Sequence, residues 1–126
     1  MKTPIFGTGT VALPGRKTPV SELIWNAHPS FKGVFLKHLI AGNDTGNLVS
    51  YHLVRVEPGC EIGKHVHAGK MEIHEVVSGS GYCSMNGASV QYEPGMIVQI
   101  PADEEHCVVA GDTGLHLLAK FFPALL

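Results

Sequence analysis

The stretch that decides the fold is GCEIGKHVHAGKMEIHEVVSG, residues Gly59–Gly79. A β-strand turns successive side chains to opposite faces, so His65 and His67 share one face. Glu72 follows five residues after His67, which is the wrong parity for one unbroken strand. The intervening residues must therefore turn or bulge, and Gly69 supplies the conformational freedom for it. Glu72 then opens a second strand that faces the first.

A second stretch, GMIVQIPADEEH at Gly95–His106, adds another histidine after a strand that ends at Pro101. Three neutral imidazoles and one carboxylate suit Mn, Fe, Ni, Co or Zn, and the set has no thiolate to make a closed structural zinc site. The sequence therefore predicts one divalent metal ion. Its predicted ligands are His65, His67, Glu72 and His106.

These two stretches resemble the two motifs of the cupin superfamily of small β-barrels. The first motif is Gly, five residues, His-x-His, three or four residues, Glu, six residues and Gly. Its positions are filled by Gly59, His65, His67, Glu72 and Gly79. Two linked motifs that both hold their spacing are a far more specific signal than a single His-x-His.

The second motif is Gly, five residues, Pro-x-Gly, two residues, His, three residues and Asn. Gly95, Pro101 and His106 match it, whereas Asp103 replaces the Gly and Ala110 replaces the Asn. The resemblance runs from about Val49 to Pro123. It implies an all-β fold, an antiparallel jelly-roll barrel or double-stranded β-helix.

Length and composition predict a single domain. With 126 residues the chain is long enough to bury a core without disulfides. We expect residues 48–123 to form the core barrel, and residues 1–47 to supply an extended N-terminal arm and outer strands. Within the arm, Thr10–Leu13 is predicted as a short strand and Glu22–Ala27 as a single helical turn. Because the arm lacks a core pattern of its own, we predict that it pairs with a partner subunit in a homodimer.

Charge and cysteine usage restrict the partners. The formal net charge is −2 with scattered Lys and Arg, so neither a nucleic acid nor a membrane surface is an expected partner. Cys60, Cys83 and Cys107 contain no Cys-x-x-Cys pair, which is typical of a reduced, cytoplasmic protein. The expected partner is a small-molecule substrate or ligand.

Two predictions concern the later strands. Asn86-Gly87 lies between the strand-like runs Gly81–Met85 and Ala88–Tyr92, which indicates a hairpin because both residues tolerate positive φ. Gly111–Gly114 is predicted as a turn between His106–Ala110 and a final strand.

Two further histidines are candidate catalytic residues. His74 shares the face of Glu72, so it is a candidate fifth ligand, partner of a ligand, or general acid/base. His52 is the second candidate acid/base, on a face that the resemblance places inside the barrel. His116 and Lys120 are expected to point outward, because the alternate positions of their strand are more apolar. His28 and His38 carry no spacing signal and are expected at the surface.

The resemblance leaves several functions open, since similar cupins include dioxygenases, isomerases, lyases and decarboxylases. Four protein ligands around an ion that can take six leave two positions for substrate and for water or dioxygen. We favour a dioxygenase-like reaction, followed by an isomerase or lyase reaction. The alternative from another class is a non-catalytic cupin that binds a small ligand or senses the metal.

Overall fold

The computed structural model describes residues 5–126, which form an antiparallel all-β domain with short helical turns. No helix in this range is long and apolar enough to cross a membrane. The helical turns are two 3-10 segments, Ile5–Thr8 and Val20–Glu22, and α1 (Gly42–Thr45). The strands are β1 (Thr10–Leu13), β2 (Arg16–Pro19), β3 (Asn26–Ala27), β4 (Val34–Ile40), β5 (Ser50–Val56), β6 (Glu61–His65), β7 (Met71–Met85), β8 (Ala88–Tyr92), β9 (Ile97–Ile100) and β10 (His106–Phe122).

The two long strands, β7 and β10, hold the barrel together. They pair with each other along their length, from His106 opposite Met85 to Phe122 opposite Met71. The first half of β10 pairs with β6 and its second half with β5, while β7 pairs first with β9 and then with β8. Both long strands therefore pass from one sheet of the jelly roll into the other.

Both strands bend at the same level. The register between β7 and β10 shifts between Ala110 and Leu115, and Gly79 has φ +85°. A Cβ atom on Gly79 would collide with the carbonyl oxygen of Gly114. Only glycine allows this close approach in a left-handed backbone conformation. The predicted turn at Gly111–Gly114 is thus wrong, because the chain continues through this bend as one strand.

The main core lies between the two sheets. It is built from residues at alternate positions of the strands, for example Val54, Val56, Leu115 and Leu117, all at most 4% exposed. Each such aliphatic side chain contributes roughly 1.5–3 kcal/mol when it is fully buried. The core continues toward the predicted metal ligands through Phe121.

The N-terminal arm packs on its own barrel. After the β1–β2 hairpin, Val20 lies against Leu53 and Leu118 on the outer face of the sheet, with Trp25 beside them. The predicted strand Thr10–Leu13 is confirmed. The predicted helical turn at Glu22–Ala27 is wrong, because this segment extends to pair β3 with β4. Residues 1–4 of the predicted arm lie outside the described residues.

Candidate metal centre

The structure brings the four predicted ligands together. His65 ends β6, His67 lies in the turn that follows, Glu72 is near the start of β7, and His106 begins β10. His65 and His106 are direct cross-strand partners. One ligand atom from each of the four residues lies within 4.8 Å of the others. The turn predicted between His67 and Glu72 is present, with Gly69 at φ +68°.

Backbone carbonyls orient two of the imidazoles. Nδ1 of His65 lies 2.6 Å from the carbonyl oxygen of Gly63, and Nδ1 of His106 lies 2.9 Å from that of Glu104. Because a carbonyl only accepts, each Nδ1 carries the proton and donates it. Each ring therefore presents the lone pair of its Nε2 atom, the arrangement that fixes a histidine as a metal ligand.

Glu72 divides its two oxygens between two environments. Its Oε2 atom lies 2.8 Å from Nε2 of His74, whereas its Oε1 atom lies 3.3 Å from Nε2 of His106 and 3.7 Å from Nε2 of His67. Glu72 Oε1 and His106 Nε2 are fully buried and have no hydrogen-bond partner within residues 5–126. Buried polar atoms without a partner are rare and costly. A cation coordinated by these lone pairs would satisfy them, so the residues present fit a metal ion.

The protonation states suit the same role. Burial lowers the pKa of His65 to about 4 and also lowers that of His67. Burial would raise the pKa of Glu72, but the neighbouring His74, His106 and His67 rings outweigh it, and the pKa lies well below its usual value. Burial opposes protonation of His106 too, yet Glu72 raises its pKa. The cluster thus holds one carboxylate beside two imidazoles, His65 and His67, that burial keeps neutral.

His74 lies inside the barrel beside Glu72, only 2% exposed. While its Nε2–H group donates to Glu72, its Nδ1 atom lies 2.8 Å from the hydroxyl oxygen of Tyr92. Both ring nitrogens are therefore hydrogen-bonded, one to Glu72 and the other to Tyr92. The catalytic role of His74 as an acid/base stays a prediction.

His52 is fully buried, with both ring nitrogens bonded. Nδ1 lies 2.8 Å from Nδ1 of His38, and Nε2 lies 2.8 Å from Oγ of Ser50. Burial and the neighbouring His38 lower the pKa of His52 to about 4. Its ring packs edge-on against Phe121, with 5.6 Å between the ring centroids. The catalytic role of His52 also stays a prediction.

His116 and Lys120 lie on the outer face of β10, as expected from the apolar alternate positions. His116 is nevertheless buried, because Trp25 of the N-terminal arm covers it and Ser78 is hydrogen-bonded to its Nδ1 atom. Lys120 makes an ion pair with Glu75. Neither residue lines the cavity described next.

A cavity of about 400 Å³ adjoins the candidate metal centre. Three of the four predicted ligands line it, together with His74. Most of the remaining lining is apolar. The other lining residues are Asn26, Ala27, His28, Pro29, Val34, Leu36, His38, Val54, Ile62, Ala119, Phe121, Leu125 and Leu126.

Two lining histidines correct the sequence analysis. His28 and His38 were expected at the surface, but both line the cavity, His28 from the segment between β3 and β4 and His38 from β4. The signal for His38 was present: it alternates with Val34 and Leu36 on one face of β4. Without the pairing of β4 to β5, the sequence does not say which face of that strand turns inward.

Comparison with known proteins identifies the family. The model of the Cupin domain matches residues 52–119, which is more than half of the chain. The chain belongs to the cupin family. An oxalate-binding protein of Thermotoga maritima is 30% identical over 115 residues, which cover 90% of this chain and 93% of that protein.

Solved structures agree with this assignment. A predicted oxalate decarboxylase from Thermotoga maritima has a TM-score of 0.75 and 26% identity, covering 82% of this chain and 95% of its own. The structure of KdgF from Halomonas sp. has a TM-score of 0.72 and 20% identity, covering 82% of this chain and 90% of its own. The second similarity concerns the fold alone.

Proposed function

We propose that this cupin is a metal-dependent enzyme that acts on a small organic acid in the cavity. The ligands of the metal ion would be His65, His67, Glu72 and His106. The observation that carries the proposal is the convergence of Glu72 Oε1 and His106 Nε2, buried and without hydrogen-bond partners in residues 5–126, on the other two imidazoles. The likeness to an oxalate-binding protein supports an organic acid as the ligand.

A divalent ion, whether Mn, Fe, Ni, Co or Zn, would polarise a substrate oxygen as a Lewis acid, and Fe or Mn would add redox chemistry. The protein's part is to fix the coordination geometry. Carbonyls of Gly63 and Glu104 hold two imidazoles in the ligating tautomer, and His74 holds Glu72.

Within this proposal a dioxygenase-like reaction, with dioxygen as oxidant, is favoured over isomerisation or elimination. The latter reactions need a base that takes a proton from carbon. Next to the cluster, both nitrogens of His74 are hydrogen-bonded, and His52 is bonded on both sides as well. Oxidation at the metal depends less on such a base.

A second candidate function is non-catalytic binding of a small carboxylate at the same metal. The name of the curated relative, an oxalate-binding protein, favours it. Such a ligand would need only the open coordination positions and the cavity.

We also propose that the protein works in the cytoplasm as a homodimer, with a small molecule rather than nucleic acid or a membrane as its partner. The three free cysteines support the cytoplasm. The net charge of −2 supports a small molecule as the partner. The packing of the arm on its own barrel removes one reason for the dimer.

The test is elemental analysis of natively purified protein, followed by assays of the metal-loaded form. One Fe or Mn ion per chain, and dioxygen uptake with a panel of oxo, hydroxy and aromatic acids, would support the dioxygenase-like reaction. Tight binding of oxalate without turnover of any acid would support the second candidate. Absence of stoichiometric metal would refute both functions.

A further inference from the structure

The part of the cavity wall that His52 and Phe121 separate from His67 carries a polar side chain with an unused nitrogen. His38 on β4 lines the cavity, and its Nδ1 atom is bonded to Nδ1 of His52 at 2.8 Å. No other hydrogen bond of the His38 ring occurs in the described residues, so Nε2 is the nitrogen left for a ligand. Whether Nε2 carries a proton decides whether the ligand must supply a hydrogen-bond acceptor or a donor.

A chain of hydrogen bonds determines which nitrogen of His38 carries the proton. The backbone N–H of Leu125 donates to Oγ of Ser50 at 2.8 Å, and this hydroxyl is fully buried. Its own proton has one acceptor among the described residues, Nε2 of His52. His52 must then carry its proton on Nδ1 and donate it to Nδ1 of His38. His38 is left with its proton on Nε2, as an N–H donor.

Both imidazoles are neutral in this arrangement. Burial lowers the pKa of His52 to about 4 and that of His38 below its ordinary value. Two adjacent protonated rings would also repel each other. A single neutral N–H group does not neutralise an anion, and burying a carboxylate without a cation is costly, so this donor suits a carbonyl, hydroxyl or ether oxygen.

Most of the other cavity lining is apolar. The ring of Phe121 packs against His67 on one side, with 4.8 Å between centroids, and against His52 on the other at 5.6 Å. Leu36, Val54 and Ile62 continue the apolar lining. In the part of the chain that the structure describes, no Lys or Arg lines the cavity. A second carboxylate at the far end would find no cation there.

We propose that His38 is a specificity-determining residue that recognises a hydrogen-bond acceptor at the far end of the substrate. The substrate is then a monocarboxylic acid longer than oxalate, with an apolar body and a distal carbonyl or hydroxyl oxygen. This inference rests on the proposed function, because the carboxylate is assigned to the metal.

The first test uses matched acids on Mn-loaded protein. Oxo acids with the carbonyl two to five carbons from the carboxylate are each compared by calorimetry with the plain fatty acid of equal length. At one spacing at least, the oxo acid should bind about two- to tenfold more tightly, the worth of one hydrogen bond. His38→Phe should remove this preference, and His38→Gln, which keeps an N–H donor, should restore part of it.

Controls separate this inference from the metal assignment. The variant with His65→Ala and His67→Ala should bind neither acid of a pair. If the wild type binds metal and plain acids but shows no preference at any spacing, the role of His38 is refuted while the proposed function stands. Protein that binds no metal refutes both.

The second test needs no ligand. Two-bond ¹H–¹⁵N spectra of metal-free protein report which imidazole nitrogen carries the proton. His38 should appear as the Nε2–H tautomer, and Ser50→Ala, which removes the hydroxyl donor, should shift His52 and His38 toward the opposite tautomers. His38 protonated on Nδ1 in the wild type would overturn the proposed recognition.

Discussion

Asp103 and Gly69 join the two motif loops directly: the N–H group of Gly69 donates to Oδ1 of Asp103 at 2.9 Å. Asp103 stands where the second cupin motif has glycine, and its φ of +67° explains that preference. Its own backbone N–H also donates to the carbonyl of His67, at 3.3 Å. The departure from the motif thus fastens the turn that separates His67 from Glu72.

Variants of Asp103 should therefore follow a definite order. Asp103→Asn keeps an acceptor and tolerates positive φ, so it should match the wild type. Asp103→Gly relaxes the backbone but loses the bond, and Asp103→Ala loses the bond and adds strain, about 1–2 kcal/mol in all. Urea unfolding of chelator-treated protein measures this order. Equal stability of the Ala and Asn variants would show that the contact contributes nothing.

The metal ligands give the second prediction. Replacing His65 and His67 together by Ala should abolish tight metal binding and leave a folded β protein, since both side chains are only partly buried. Metal quantification and circular dichroism measure the two outcomes. Chelation should lower the melting temperature of the wild type and leave that of the double variant unchanged, because only the wild type gains stability from the ion. Full metal retention in the double variant would refute the assignment.

Local sequence patterns were enough to predict several features of the fold and of the candidate metal centre. The spacing of His65, His67 and Glu72 required a turn, and the turn is present. The Asn86-Gly87 hairpin is confirmed as well, with Met85 opposite Ala88. Both features depend on a few neighbouring residues whose conformational preferences are strong.

Features that depend on strand pairing could not be predicted from the sequence. His38 meets His52 because β4 and β5 pair in one register, and a shift of that register follows directly after this pair. Nothing local to β4 encodes that partner. Likewise Gly111–Gly114 has the composition of a turn, yet it continues as strand at the point where the register of β10 against β7 shifts.

His116 leads to a prediction on pH. Burial, with Arg55 nearby, lowers its pKa to about 4 in the folded state, against about 6.5 in the unfolded chain. Between these pH values the unfolded chain binds a proton that the folded protein does not, so stability is lost as pH falls from about 6.5 to 4. His116→Gln should reduce this slope by up to about 1.4 kcal/mol per pH unit. Urea titrations of chelator-treated protein at several pH values measure it; an unchanged slope would contradict the assignment.

The arm gives a prediction on assembly. If the proposed homodimer forms, its interface must use surfaces other than the outer face covered by Val20 and Trp25. Deleting residues 1–13 should therefore destabilise the fold modestly without changing the oligomeric state. Sedimentation of both proteins at high concentration tests this. Dissociation of a wild-type dimer on deletion would show that the arm contributes to the interface, and a monomeric wild type would refute the homodimer.

The last prediction concerns His74, which donates to the oxygen of Glu72 that faces away from the other ligands. His74→Phe keeps the fold but frees the carboxylate to rotate, so metal affinity should fall by about 10- to 100-fold, the usual effect of losing a partner of a ligand. Tyr92→Phe is the control, because it removes a hydroxyl and leaves the bond between His74 and Glu72 in place. Chelator competition measures the affinity. If His74→Phe binds metal as tightly as the wild type yet loses activity once a substrate is known, the residue acts as an acid/base; unchanged affinity together with full activity would refute both roles.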